Sequence, residues 1–95
     1  MAPVIWAPAA LDDVDAVAEY IARDSPDHAA LFAARLIEAT DRLAQFPESG
    51  RVIPELGCAD CREIIVGDYR NMYRIATDAV WVAGVIHGTR DVQAD

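Results

Sequence analysis

The sequence predicts an α+β fold in which an N-terminal strand and an antiparallel helical hairpin pack on a small antiparallel β-sheet. Three observations carry this expectation: apolar residues recur at helical spacing through the first half, a proline-marked break splits that half in two, and the second half turns to segments rich in β-branched and aromatic residues. A length of 95 residues fits one compact domain, expected over residues 1–95.

Val4-Ile5-Trp6 is a short apolar run closed by Ala7-Pro8, a strand ending where proline can begin a helix. Leu11, Val14, Val17, Ala18 and Ile21 then repeat at helical spacing, with Asp12, Asp13, Asp15, Glu19 and Arg23 between them. The acids are expected in the first turn, where the helix dipole favours them, although Ala7 is a poor cap. Ser25-Pro26-Asp27 supplies an N-cap, a proline at the first helical position and a first-turn acid, so a second helix starts there. Its pattern runs to Phe46, before Pro47 and Gly50, over about 21 residues or ~30 Å. The short connection forces an antiparallel hairpin, and Ala29, Ala30, Ala33 and Ala34 are expected to allow close helix approach.

Residues 47–61 read as irregular, punctuated by Pro47, Gly50, Pro54 and Gly57. Strands are expected from Arg62 to Val66, Tyr69 to Ala76 and Ala79 to His87, joined by a type II′ turn at Gly67-Asp68 and a second turn at Thr77-Asp78. This is a three-stranded antiparallel meander. Its last strand is apolar on both faces, as expected when both are covered; one face meets the hairpin, the other the chain ends or a partner.

The composition, 54% hydrophobic and 25% charged, is that of a globular protein. Eight basic against 16 acidic residues give a net charge of −8, which opposes nonspecific adhesion to nucleic acid or anionic lipid. All eight basic residues are arginine, the residue suited to bidentate recognition of phosphate or carboxylate. Three lie in residues 1–48 with nine acids, and five in residues 49–95 with seven acids, so the sheet half is the less acidic. Two cysteines are too few for a disulfide-built secreted scaffold, Met1-Ala2-Pro3 has no signal-peptide character, and no apolar run is long enough to span a bilayer; the expected location is cytoplasmic.

Alternation in the middle strand puts Tyr69, Asn71, Tyr73 and Ile75 on one side and Arg70, Met72, Arg74 and Ala76 on the other. Arg62 and Arg90 are candidates to join Arg70 and Arg74; the alternative is surface ion pairing with Glu63, Asp68, Asp78 and Asp91. His87 ends the last strand and is either a general acid or a hydrogen-bonded structural residue. His28, in the first turn of the second helix, reads as exposed and without a role. Cys58-Ala59-Asp60-Cys61 has the spacing of a redox pair or half a zinc site, but further ligands are wanting and the favoured reading is two loop thiols. No metal or cofactor is expected, and Trp6 and Trp81 read as core.

The order strand, hairpin, Pro47-Glu48-Ser49-Gly50-Arg51, Arg62-Glu63-Ile64, Gly67-Asp68-Tyr69-Arg70, Met72-Tyr73-Arg74 and His87-Gly88-Thr89-Arg90-Asp91 resembles the RelE/ParE superfamily of bacterial toxins over nearly the whole chain. The resemblance implies the RelE/ParE-like fold and the toxin half of a type II toxin–antitoxin module, of the kind described as plasmid stabilisation proteins. It also implies a cognate antitoxin in a hetero-oligomeric complex. RelE-like members are ribosome-dependent mRNA endonucleases, and the positions matching their chemistry are Glu55 as base, Arg70 as phosphate clamp and His87 as acid. Gly88 stands where some of these nucleases carry a catalytic tyrosine, and the basic surface they use at the ribosome is absent. ParE-like members inhibit DNA gyrase, which asks for a protein-binding surface and no active site. The sequence favours that second activity, with Arg62, Tyr69, Arg70, Tyr73, Arg74, His87 and Arg90 as antitoxin- or target-binding candidates. An acidic antitoxin segment is expected over the hairpin groove and the Arg62, Arg70, Arg74 face. The alternatives are the endonuclease and a diverged toxin that only binds antitoxin.

Overall fold

A computed structural model of the protein describes residues 1–92. The chain runs through β1 (Val4–Trp6), α1 (Pro8–Ala22), α2 (Pro26–Asp41), two 3₁₀ turns (Arg42–Ala44 and Pro47–Ser49), β2 (Arg51–Val52), β3 (Cys61–Val66), β4 (Tyr69–Ile75) and β5 (Val80–His87). The strands form one five-stranded sheet in the order β1-β5-β4-β3-β2. The expected meander is β3-β4-β5, and the short strands β1 and β2 extend it at its two edges. β1 lies parallel to β5, Val4 opposite Val80, so the sheet is mixed. Between them the chain crosses by way of the helical hairpin to β2 at the far edge and returns through β3 and β4, the long connection that a parallel pair needs.

Each helix begins at its proline. Ala7 makes no side-chain cap, and because α1 starts at Pro8 its first turn holds no acid; Asp12 and Asp13 fall one turn later, correcting the acidic first turn expected above. Ser25 does cap α2, its Oγ accepting from the His28 amide at 3.2 Å. α2 ends at Asp41 and tightens into a 3₁₀ turn, short of the expected Phe46. Pro47 disfavours helical geometry at the residue before it, and Phe46 sits at φ −129°, ψ 66°.

The hairpin covers one face of the sheet. Phe32 and Leu36 of α2 pack on Val66 and Val85 with Trp6, Val14, Val17 and Ile21 around them, and Leu43 packs with Tyr73 and Val80. Ala29 is buried and Ala33 half-buried, whereas Ala30 and Ala34 face solvent, so only one pair of the expected alanines serves helix contact. Asn71 ties the sheet to α2 by donating to Thr40 Oγ1 at 2.7 Å.

Register sorts the side chains between faces. Gly67, at φ +57°, opens the β3–β4 turn, and Val66 pairs with Tyr69. Arg62 therefore pairs with Tyr73 and shares the helix-covered face, while Cys61, Glu63 and Ile65 share the open face with Arg74, Met72 and Arg70. The expectation that Arg62 joins Arg70 and Arg74 is corrected by this phase. In β5 the pairing slips at Met72/Tyr73, leaving Ala83 as a bulge. Beyond the last residue paired with β1, the Val85 amide donates to Asp13 Oδ2 of α1 at 3.0 Å. Val80, Val82 and Val85 are buried but Trp81 and Ala83 are exposed, so β5 is covered mainly on one side. Trp81, 36% exposed, is not the core residue the sequence suggested. Among the described residues no helix is long and apolar enough to cross a membrane.

Candidate functional site

The open face carries a chain of charges. The loop after β2 turns back over it: Ile53 is buried, its amide donates to the Cys61 carbonyl at 2.9 Å, and Gly57, at φ +63°, closes the turn with its amide on the Ile53 carbonyl. Glu55, inside that turn, meets Arg70 in a two-bond fork, Nη1 to Oε2 at 2.7 Å and Nη2 to Oε1 at 2.8 Å. Arg70 Nε donates to Glu63 Oε1 at 2.7 Å and Nη1 donates again to the Arg90 carbonyl at 2.8 Å. Glu63 accepts on its other oxygen from Arg51 Nε at 2.7 Å, and Glu55 accepts from the Val92 amide at 2.8 Å.

Two arginines and two glutamates thus alternate in the order Arg51, Glu63, Arg70, Glu55. The Glu63 side chain is fully buried and that of Arg70 only 5% exposed. Charges so removed from water require this pairing. The Arg70 hydrogen bonds, followed by the Val92 amide, lower the Glu55 carboxyl to about 2, and Glu55 in turn pushes the Arg70 guanidinium higher still.

His87 is elsewhere. It pairs with Tyr69, so its ring stands on the helix-covered face, opposite Arg70. The Thr89 amide donates to His87 Nδ1 at 3.2 Å, and Tyr69 meets the ring edge-on at 5.4 Å. Of the three positions matching a nuclease, Glu55 and Arg70 are brought together and His87 is not.

The other candidates divide by exposure. Tyr73 is buried, donating to the Pro47 carbonyl at 2.6 Å and accepting from the Gly50 amide at 3.0 Å. Arg62 donates to the carbonyls of Ala59 at 2.9 Å and Gly50 at 3.0 Å, pinning two loops. Tyr69 leans on Phe32. Only Arg74, His87 and Arg90 are exposed. The buried side chains of Arg70 and Tyr73 correct the sequence expectation of a presented surface at those positions. His28, exposed as expected, lines a cleft of about 750 Å³ together with His87, Tyr20, Tyr69 and Asp24.

Sequence reading missed that buried Glu63 is held between Arg70 and the exposed Arg51, although the two-residue turn at Gly67-Asp68 already implies that Glu63 shares a face with Arg70. It also missed a row across the open face, where Ile5 pairs with Trp81, Trp81 with Arg74 and Arg74 with Cys61. Ile5 and Trp81 are each 36% exposed in that row.

Comparison with known proteins agrees with this architecture. The family described as ParE toxin of type II toxin-antitoxin system, parDE, matches residues 4–92. The chain is similar to Toxin RelE2 of Caulobacter vibrioides, 38% identical over 91 residues that cover 95% of this chain and 99% of the relative. It is also similar to Putative toxin Y4kP of Sinorhizobium fredii, 38% identical over 84 residues, 86% of this chain and 83% of the relative. Among solved structures, one described as the chromosomal ParDE TA system from P. aeruginosa superposes with a TM-score of 0.75 at 18% identity, over 92% of this chain and 96% of that one, a likeness of fold. With a family match over nearly its full length, the chain belongs to the ParE family of toxins of type II toxin–antitoxin systems.

Proposed function

We propose that this toxin acts by binding a protein target, DNA gyrase, and that it does not cleave RNA. The observation supporting this is the Arg70 relay. A phosphate clamp needs free donors, but four Arg70 N–H bonds are directed at Glu55, Glu63 and the Arg90 carbonyl. A carboxyl lowered to about 2 is a weak general base near neutrality, where effective bases have values close to the working pH. With His87 across the sheet, acid, base and clamp share no site. The net charge of −8 further disfavours entry among ribosomal phosphates.

The cognate antitoxin is the second partner of this reading. It is expected to lay a segment bearing acidic and apolar residues along the open-face row of Ile5, Trp81 and Arg74, since that row offers half-exposed apolar surface beside an exposed guanidinium. Purified toxin is expected to inhibit gyrase supercoiling and trap cleaved DNA, and Glu55→Gln or His87→Ala is expected to leave the inhibition in place. Transcripts cut at ribosomes in a Glu55- and His87-dependent way, with supercoiling untouched, would establish the endonuclease instead. Unimpaired growth on induction without antitoxin would mark a toxin that has lost its activity.

A further inference from the structure

We infer that Cys58 and Cys61 form a thiol–disulfide exchange site whose substrate class is the low-molecular-weight disulfide, glutathione disulfide being its simplest probe. The Cys61 amide donates to the Cys58 carbonyl at 3.1 Å, which closes a β-turn with the two cysteines at its ends. A β-turn holds its end Cα atoms within about 7 Å, and a disulfide needs about 4.4–6.8 Å, so the bond can form with little backbone movement. The turn is anchored on three sides. The Asp60 carbonyl accepts from Ile75 N at 2.8 Å, the Cys61 carbonyl from Ile53 N at 2.9 Å, and the Ala59 carbonyl from Arg62 Nε at 2.9 Å.

The two thiols are also unequal. Cys58 is exposed and Cys61 half-buried at the start of β3. The Asp60 amide and the Cys61 thiol draw the Cys58 thiol below its usual range, while burial pushes Cys61 up. That is the arrangement of an attacking and a resolving cysteine. The chain has only these two cysteines, so neither has a competing partner within it.

The Cys58 thiolate attacks one sulfur of the small disulfide RSSR, breaking its S–S bond and releasing RS⁻, and leaves a Cys58–S–S–R mixed disulfide. Deprotonated Cys61 then attacks the Cys58 sulfur, closing the Cys58–Cys61 bond and releasing the second RS⁻. The two protons lost by the protein end on the two RS⁻ groups. The protein is oxidised by two electrons, RSSR is reduced to two RSH, and excess RSH reverses both steps.

Full-length toxin equilibrated across glutathione to glutathione disulfide ratios, quenched by alkylation and weighed intact, tests this. Wild type is expected to pass in a single transition from two alkylated thiols to none, giving a monomer two hydrogens lighter with no glutathione attached. Cys61→Ser is expected to accumulate one glutathione on Cys58, and Cys58→Ser to react roughly tenfold more slowly. Stable glutathione adducts or disulfide-linked dimers as the main wild-type products would overturn the proposal. So would alkylation of both thiols at equal rates with no intramolecular product.

Discussion

Arg70 is a structural cation before it can be anything else. Its Nε holds Oε1 of Glu63, whose side chain is fully buried, so removing the guanidinium leaves that oxygen unpaired away from water, with Arg51 holding only the other. Breaking one partner of a buried pair costs about 3–5 kcal/mol, and Arg70→Ala is expected to lower chemical-denaturation stability by an amount in that range. Arg70→Glu is for the same reason no clean probe of antitoxin binding. Glu55 makes a pH-dependent contribution. Its carboxyl lies at about 2 in the folded chain, below the ordinary value of ~4.3 expected when unfolded, so the unfolded state takes up protons first on acidification. The stabilisation is complete above ~4.3 and is lost as pH falls toward about 2. Thermal melts are expected to show wild type losing stability across that window and Glu55→Gln, less stable at neutral pH, changing less through it. Equal slopes for the two proteins would mean that the fork to Arg70 contributes nothing.

Between elements, the decisive join is Tyr73, which carries the hairpin's exit and β2 on its hydroxyl through Pro47 and Gly50. Tyr73→Phe leaves the buried Gly50 amide and the partly buried Pro47 carbonyl unpaired, and a loss of about 1–3 kcal/mol is expected in denaturant titrations. Gly50 is needed there for space: a Cβ would lie 2.5 Å from the Tyr73 hydroxyl and 2.6 Å from the Glu63 carbonyl. Much of this architecture is legible in the sequence, because Ser25-Pro26, Pro8 and Gly67-Asp68 act locally and each marks its boundary. The faces follow from the same turn: a two-residue loop pairs Val66 with Tyr69, which places Arg62 and Arg70 on different faces of the sheet. Other features leave no local trace. β2 is two residues long and β1 finds β5 across some 70 positions of chain, a pairing no periodicity encodes. The bulge at Ala83 hides inside an apolar run, where a change of phase alters no visible pattern. Of the candidate site, Glu55 and Arg70 were named but their pairing was not, since it depends on how an irregular loop folds back.

For the whole molecule, the relevant count is of arginines left over once the fold has used its share. In the sheet half Arg51 and Arg70 are held by glutamates and Arg62 by backbone carbonyls, which leaves Arg74 and Arg90 as the exposed guanidiniums without such ties among the described residues. The hairpin half stays acidic, so the molecule presents an anionic body with a small cationic and apolar spot on its open sheet face. A partner that must find this toxin among many proteins gains most from the place where the sign reverses, since complementary charge steers encounter and a half-buried aromatic anchors the contact. Arg74→Glu combined with Trp81→Ala is therefore expected to weaken antitoxin binding at least about tenfold, measured by calorimetric titration. Arg74→Ala alone is expected to shift folding stability by no more than about 0.5 kcal/mol, because the side chain is exposed and no acceptor among the described residues holds it. Undiminished affinity in a folded double variant would move the antitoxin off this face and toward the hairpin, where Leu11, Tyr20 and Ile37 stand more than half exposed.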